Sequence, residues 1–187
     1  MLVQLGLLSG LGLVSAVLHT FLKLRLGIPG HAAVLWLTPI LVGRCLTRLR
    51  AGGTVASTSA ALGIFMLRGL SVRWPPMLAV ATYWAVGPAL DFYVLLAARL
   101  VTGERRLSGA VGLVVAAVGG VVANYAHLAS KVGLAVIRPH APRFGLTPGL
   151  YELVTYLVFG LLAGLLAYGI SLPARRRKPD DGARADP

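Results

Sequence analysis

Three polar side chains interrupt a long apolar run that opens near Ser108: Asn124, His127 and Lys131, in Ala123-Asn124-Tyr125-Ala126-His127-Leu128-Ala129-Ser130-Lys131. A helix turns once in about 3.6 residues, so this spacing sets an amide, an imidazole and an ammonium on one face. Taken alone, the trio has the chemistry of a catalytic or metal-binding face. In lipid such groups are costly, so they face a bundle interior or a wet cavity and mark a functional site by default. What they face depends on the elements around them.

Of the 187 residues, 57% are hydrophobic and 13% charged, and the mean hydropathy is +0.78. Soluble domains carry about 25% charged residues. The chain therefore reads as an all-α integral membrane protein. Its first apolar run, residues 2–22, has neither a basic start nor a clear small-residue cleavage site, so it is expected to be a span rather than a signal peptide. A lone cysteine, Cys45, can form no internal disulfide and no Cys-based metal site by itself. The net charge of +12 lies on short loops and a tail instead of one folded soluble face, which argues for orientation in a bilayer and against nucleic-acid binding.

With about 17–25 residues per span, the apolar runs predict helices near 2–22, 30–46, 53–68, 75–98, 109–136 and 149–172, a compact six-helix bundle occupying residues 1–173. Breakers mark the joints at Gly27-Ile28-Pro29-Gly30, Gly52-Gly53, Pro75-Pro76, Gly103, Pro139 through Pro148, and Pro173. Thr54, Ser57, Thr58 and Ser59 dilute the third helix, which reads as short, buried or partly re-entrant. Residues 174–187 read as a basic, then acidic, disordered cytoplasmic tail. On alternate sides of this topology fall eleven and seven Lys and Arg residues, which puts both termini in the cytoplasm.

That orientation gathers polar groups at the outer end. His19 and Lys23 close helix one, His31 opens helix two, and Trp74 precedes helix four; Arg138, His140 and Arg143 follow helix five, and Tyr151 and Glu152 open helix six. Each has a plain alternative. Lys131 can snorkel to the interface, His127 can bond one carbonyl, Asn124 can be interhelical glue, Glu152 can pair with Lys23, Lys131 or Arg143, and His19 and His31 can sit at headgroup level. Asp91, beyond the expected kink at Pro88, is read as a structural ion pair with Arg44 or Arg99 at the inner side. The arginine clusters at 44–50 and 99–106 suit anionic headgroups. Helix one carries small residues four apart, Gly6 with Gly10 and Gly12 with Ala16, which permit close helix approach.

No phosphate loop, zinc-protease helix or supportable Ser/His/Asp triad is present, so the chain reads as neither an ATPase nor an enzyme. His19 and His127 share a depth, as axial haem ligands would, but lack the paired-histidine spacing of a cytochrome; no cofactor is expected.

A six-helix chain of this size, with small residues along helix one and the patterns Pro29-Gly30-His31-Ala32-Ala33-Val34-Leu35-Trp36, Gly87-Pro88-Ala89-Leu90-Asp91 and Asn124-Tyr125-Ala126-His127, resembles the substrate-binding S component of an energy-coupling factor (ECF) transporter. The resemblance implies a vitamin or small-molecule binder in the cell membrane, toppled by a transmembrane coupling subunit that two cytoplasmic ATPases drive. It implies a coupling surface on Gly6, Gly10, Gly12 and Ala16, although the family's alanine-rich pattern is here mainly glycine. The cobalt and nickel branch uses a histidine near the amino terminus, and Met1-Leu2-Val3 does not match it. The expected substrate-binding residues are Asn124, His127, Lys131, His19, His31, Tyr151 and Glu152, with no metal. Their excess of cationic and neutral donors points to a carboxylate or phosphate ligand. The rival readings are an accessory or anchor subunit of a larger membrane complex and a haem-carrying electron-transfer subunit.

Overall fold

The computed structural model describes residues 1–22, 27–69, 80, 82–100, 109–137 and 149–176. Among these, six helices and no strands are found: α1 (Leu2–Phe21), α2 (Ala33–Leu46), α3 (Gly52–Gly69), α4 (Val86–Leu100), α5 (Gly109–Ile137) and α6 (Leu150–Arg176). Three of them, over Leu2–Phe21, Gly109–Leu134 and Leu150–Ala174, are long and apolar enough to cross a membrane. Ala33–Leu46 and Gly52–Leu67 are shorter apolar helices.

α2 lies at the centre, packed against α1, α3, α5 and α6, while α1 meets α3, α3 meets α4, α4 meets α5 and α5 meets α6. This position explains its composition. Trp36, Leu37, Ile40, Leu41 and Val42 are all buried, and even Thr38 returns its hydroxyl to the Val34 carbonyl at 2.6 Å instead of seeking water. Leu8 and Ala16 of α1, Ile64 of α3, Leu90 of α4, Ala123 of α5 and Ala163 of α6 complete the core around it.

Glycines set the closest crossings. A Cβ on Gly160 would lie 2.8 Å from the Val121 Cα and 2.9 Å from the Gly120 carbonyl oxygen, so α5 and α6 touch backbone to backbone. Gly164 repeats the contact one turn on, against Ala116 and Ala117. Without a water-driven force between helices in lipid, such close approach supplies the packing attraction that holds them. A second crossing joins α3 to α4, where a Cβ on Gly87 would stand 2.6 Å from the Gly53 carbonyl oxygen.

Two prolines act differently from their sequence reading. Helix four does not run as one piece kinked at Pro88: residues 82–84 are helical, Ala85 is a turn, and α4 begins at Val86. Pro88 thus falls in the first turn of α4, where a backbone N–H has no intrahelical partner to lose. The expected start near 75 lies outside the described residues. Pro173 does not end α6, which continues to Arg176. A proline removes one hydrogen bond, here to the carbonyl of Gly169, and in the last turn few later bonds depend on it.

The diluted helix α3 is continuous, and the hydroxyls of Thr54, Ser57 and Thr58 find partners inside the protein. Thr54 Oγ1 donates to Asp91 Oδ2 at 2.7 Å, Ser57 Oγ to the Thr54 carbonyl at 3.2 Å, and Thr58 Oγ1 accepts from Trp84 Nε1 at 3.0 Å. Asp91 also accepts the backbone N–H of Gly53 at 2.8 Å and of Thr54 at 2.7 Å, and faces Arg44 Nε at 3.3 Å. A carboxylate from α4 therefore caps the N-terminus of α3 from outside, where the helix dipole favours negative charge. The ion pair read from the sequence forms with Arg44, and the cap accompanies it.

Candidate functional site

At the end of the bundle opposite Asp91, polar groups converge on two tyrosines. Tyr83, ahead of α4, is buried and meets three rings. His19 at the end of α1 lies at 5.0 Å between centroids and 61°, Trp36 of α2 at 4.8 Å and 81°, and His127 of α5 at 4.8 Å and 43°. The Tyr83 hydroxyl lies 2.7 Å from His19 Nε2. Trp36 is fixed from the other side, since Ser15 Oγ on α1 donates to its carbonyl at 2.5 Å, and His127 tilts over it at 5.0 Å. His127 Nδ1 lies 3.3 Å from the Thr82 carbonyl. A carbonyl only accepts, so Nδ1 carries the proton in this contact.

The second tyrosine, Tyr156 of α6, is buried and organises the other half. Its carbonyl accepts Asn124 Nδ2 at 2.8 Å, and its hydroxyl accepts Lys131 Nζ at 3.2 Å. The ammonium also stands 5.8 Å from the ring centroid, within cation–π range. The same ring packs on Gly30: a Cβ there would come within 3.0 Å of it, and Gly30 has φ +78°, open to glycine at no steric cost. That turn presents His31, whose Nδ1 meets the Ile28 carbonyl and whose ring edge approaches Phe159 at 6.4 Å between centroids. Tyr125 adds a further tie between α5 and α6 through its hydroxyl to the Leu153 carbonyl at 2.8 Å.

Asn124, His127, Lys131 and His19 thus gather around Tyr83 and Tyr156, and His31 stands beside Phe159 on the turn whose Gly30 packs on Tyr156. Tyr151 does not join them: it is 61% exposed on the outer surface of α6. Glu152 is half-buried in the first turn of α6, where its charge suits the helix N-terminus. Lys23, Trp74, Arg138, His140 and Arg143 lie outside the described residues. The small residues of α1 divide between two faces. Gly12 and Ala16 are buried against α3, at Ser59, Ala60 and Gly63, whereas Gly6 and Gly10 are exposed with open space where a Cβ would go.

Asn124 is the most enclosed member, with no exposed surface. Its Nδ2 is committed to the Tyr156 carbonyl, which fixes the amide's orientation, and its Oδ1 is buried with no donor among the described residues. Buried polar atoms are nearly always paired, so an orphan acceptor calls for an explanation. No group of three or more His, Cys, Asp or Glu side chains suited to a metal ion occurs among the described residues.

Tyr83, Tyr156, Trp36 and Thr82 have no mark in their sequence spacing. The residues they serve lie 64 positions away for His19 and Tyr83, and 32 for Asn124 and Tyr156. The available signal was a general one, that an aromatic near the end of a span pairs its polar tip with another polar end. Comparison with protein-family models, curated proteins and solved structures finds no match to this chain.

Proposed function

We propose that this chain is the substrate-capture subunit of an uptake transporter, of the S-component kind. It binds a vitamin-sized anionic or polar molecule in an outward-facing site and couples to a separate transmembrane subunit and ATPases. The observation that carries the reading is the Asn124 carboxamide, fully buried with an acceptor left open, in a cluster to which α1, α2, α5, α6 and the turn before α2 all contribute. A contact that served packing alone would gain nothing from an unsatisfied acceptor, because leaving one costs about 1–3 kcal/mol.

In this proposal all six helices lie within the bilayer and both termini are cytoplasmic. Arg48 and Arg50 are exposed beside the Asp91 cap, and Arg99 is exposed about two turns beyond Asp91 on α4. Their charge supports a cytoplasmic assignment for that end, which leaves the cluster outside. Binding of a labelled vitamin panel to the purified protein tests the reading. Binding by the wild type that weakens in Lys131→Ala and His127→Ala is expected; no binding, or unchanged affinity in both variants, refutes it.

One observation favours an accessory or anchor subunit instead. Most of the cluster is satisfied internally, while Gly6 and Gly10 lie on an exposed apolar face with Leu2, Val3, Leu7, Leu13, Val14 and Val17. That reading predicts a stable partner that co-purifies through α1 and no small-molecule binding.

A further inference from the structure

The junction of α2 and α3 carries three arginines, Arg44, Arg48 and Arg50, and the fold uses them differently. Arg44 turns inward, with Nε 3.3 Å from Asp91 and Nη1 3.5 Å from the Thr47 carbonyl. Arg48 and Arg50 are exposed on either side of Leu49, which is half-buried against the core. The turn that carries them is fixed at both ends. Thr47 returns its N–H and its hydroxyl to the Gly43 carbonyl at 3.1 and 2.9 Å, and the Gly52 N–H donates to the Leu49 carbonyl at 3.1 Å. Two residues apart, Arg48 and Arg50 have Cα atoms separated by at most about 7 Å, near enough for both guanidinium groups to reach one phosphate.

The acidic side chains among the described residues are Asp91 and Glu152. Asp91 gives its oxygens to Arg44, Gly53 and Thr54, and Glu152 opens α6 at the other end of the bundle, so neither offsets the exposed pair. The helices on either side of α3 offer apolar surface beside this turn. On α1, Leu8 lies against Gly43 and Gly52, and Val3 and Leu7 just before it are exposed; on α4, Phe92 next to Asp91 is 70% exposed. Because α2 and α3 are themselves apolar, a turn between them falls where hydrocarbon gives way to headgroups. We infer that this turn binds the headgroup of an anionic phospholipid, the guanidinium groups of Arg48 and Arg50 taking its phosphate while the exposed faces of α1 and α4 lie along its acyl chains. A free anion would use the arginines and leave the apolar faces idle. The site stands apart from the cluster around Tyr83 and Tyr156 and does not depend on what that cluster binds.

Native mass spectrometry of the purified full-length protein in detergent, offered an equimolar mixture of phosphatidylglycerol and phosphatidylcholine, tests the site. The first lipid bound is expected to be phosphatidylglycerol by at least about five-fold, falling below about two-fold in the double variant Arg48→Gln with Arg50→Gln. A charge-matched control, Arg177→Gln with Lys178→Gln, should keep the wild-type preference. Equal binding of the two lipids by the wild type overturns the inference, as does a preference that survives in the turn variant or is lost equally in the control. Displacement of the lipid by an equimolar amount of inorganic phosphate also overturns it, marking a site for a free anion. Should the double variant fail to fold, Arg48→Gln and Arg50→Gln singly must each lower the preference; no change in either overturns the assignment.

Discussion

Replacing Asp91 by asparagine tests whether the far end of the bundle is held by charge. Asp91 Oδ1 accepts from Gly53 N–H and faces Arg44 Nε; Oδ2 accepts from Thr54 N–H and from Thr54 Oγ1. Asparagine has one oxygen, so whichever way its amide turns, an NH₂ group faces a backbone N–H of α3 and at least one charge-assisted bond is lost, worth about 1.5–3 kcal/mol. Arg44, whose side chain is 13% exposed, also loses its counter-ion, and breaking a buried pair from one side costs about 3–5 kcal/mol. The retained oxygen and the partial exposure of Arg44 place the expected loss near the lower figure, about 3 kcal/mol. At about 2–4 °C per kcal/mol for a chain of this size, the thermal midpoint in detergent, followed by circular dichroism, should fall by about 6–12 °C. Adding Arg44→Met to Asp91→Asn should cost little more, since the partner is already lost. A fall below about 3 °C, or strictly additive losses, refutes the account of Asp91 as a cap and counter-ion joining α2, α3 and α4.

The crossing of α5 and α6 should tolerate no side chain at Gly160. Gly160→Leu would push into the backbone of Gly120 and Val121, and a loss above about 3 kcal/mol is expected by thermal unfolding; an unchanged midpoint contradicts the backbone contact. At Gly6, where nothing lies within 4 Å of an added Cβ, alanine should raise stability by up to about 1 kcal/mol through helix propensity, and a measured loss in the purified chain argues against an open face. Tyr83→Phe keeps the three ring contacts and removes the hydroxyl partner of His19, so a loss of about 1 kcal/mol is expected together with a shift of the His19 ring resonances; neither change means the 2.7 Å contact is not formed.

Helix positions are legible because apolar runs and breakers act locally. Residues 2–22, 53–68 and 109–136 anticipate α1, α3 and α5 to within a residue, whereas proline is ambiguous in one dimension. Pro88 starts a helix where a kink is expected, and Pro173 sits inside one where a stop is expected, because the cost of proline depends on its distance from a helix end. Small-residue spacing is ambiguous in the same way. Gly160 and Gly164 have the same four-residue interval as Gly6 and Gly10, yet only the former pair meets another helix. Which polar residues share an end of the bundle follows from topology and is readable. Which atom each one bonds is not, since Tyr156 and Tyr83 reach their partners through tertiary packing alone.

The central position of α2 also bears on how the chain enters a bilayer. Fourteen residues reach only about 21 Å, against a hydrocarbon thickness of about 30 Å, and Pro39 inside the helix leaves the Leu35 carbonyl without its usual donor. Facing lipid, such a segment would thin the membrane or tilt poorly, and its polar backbone groups would lack partners. Surrounded by α1, α3, α5 and α6, it has protein on every side and need not match the bilayer. Its final placement thus depends on helices made after it: α5 and α6, the long apolar spans, lie C-terminal to α2 in the chain. A chain that ended before α5 would leave uncovered the side of α2 that α5 and α6 pack against.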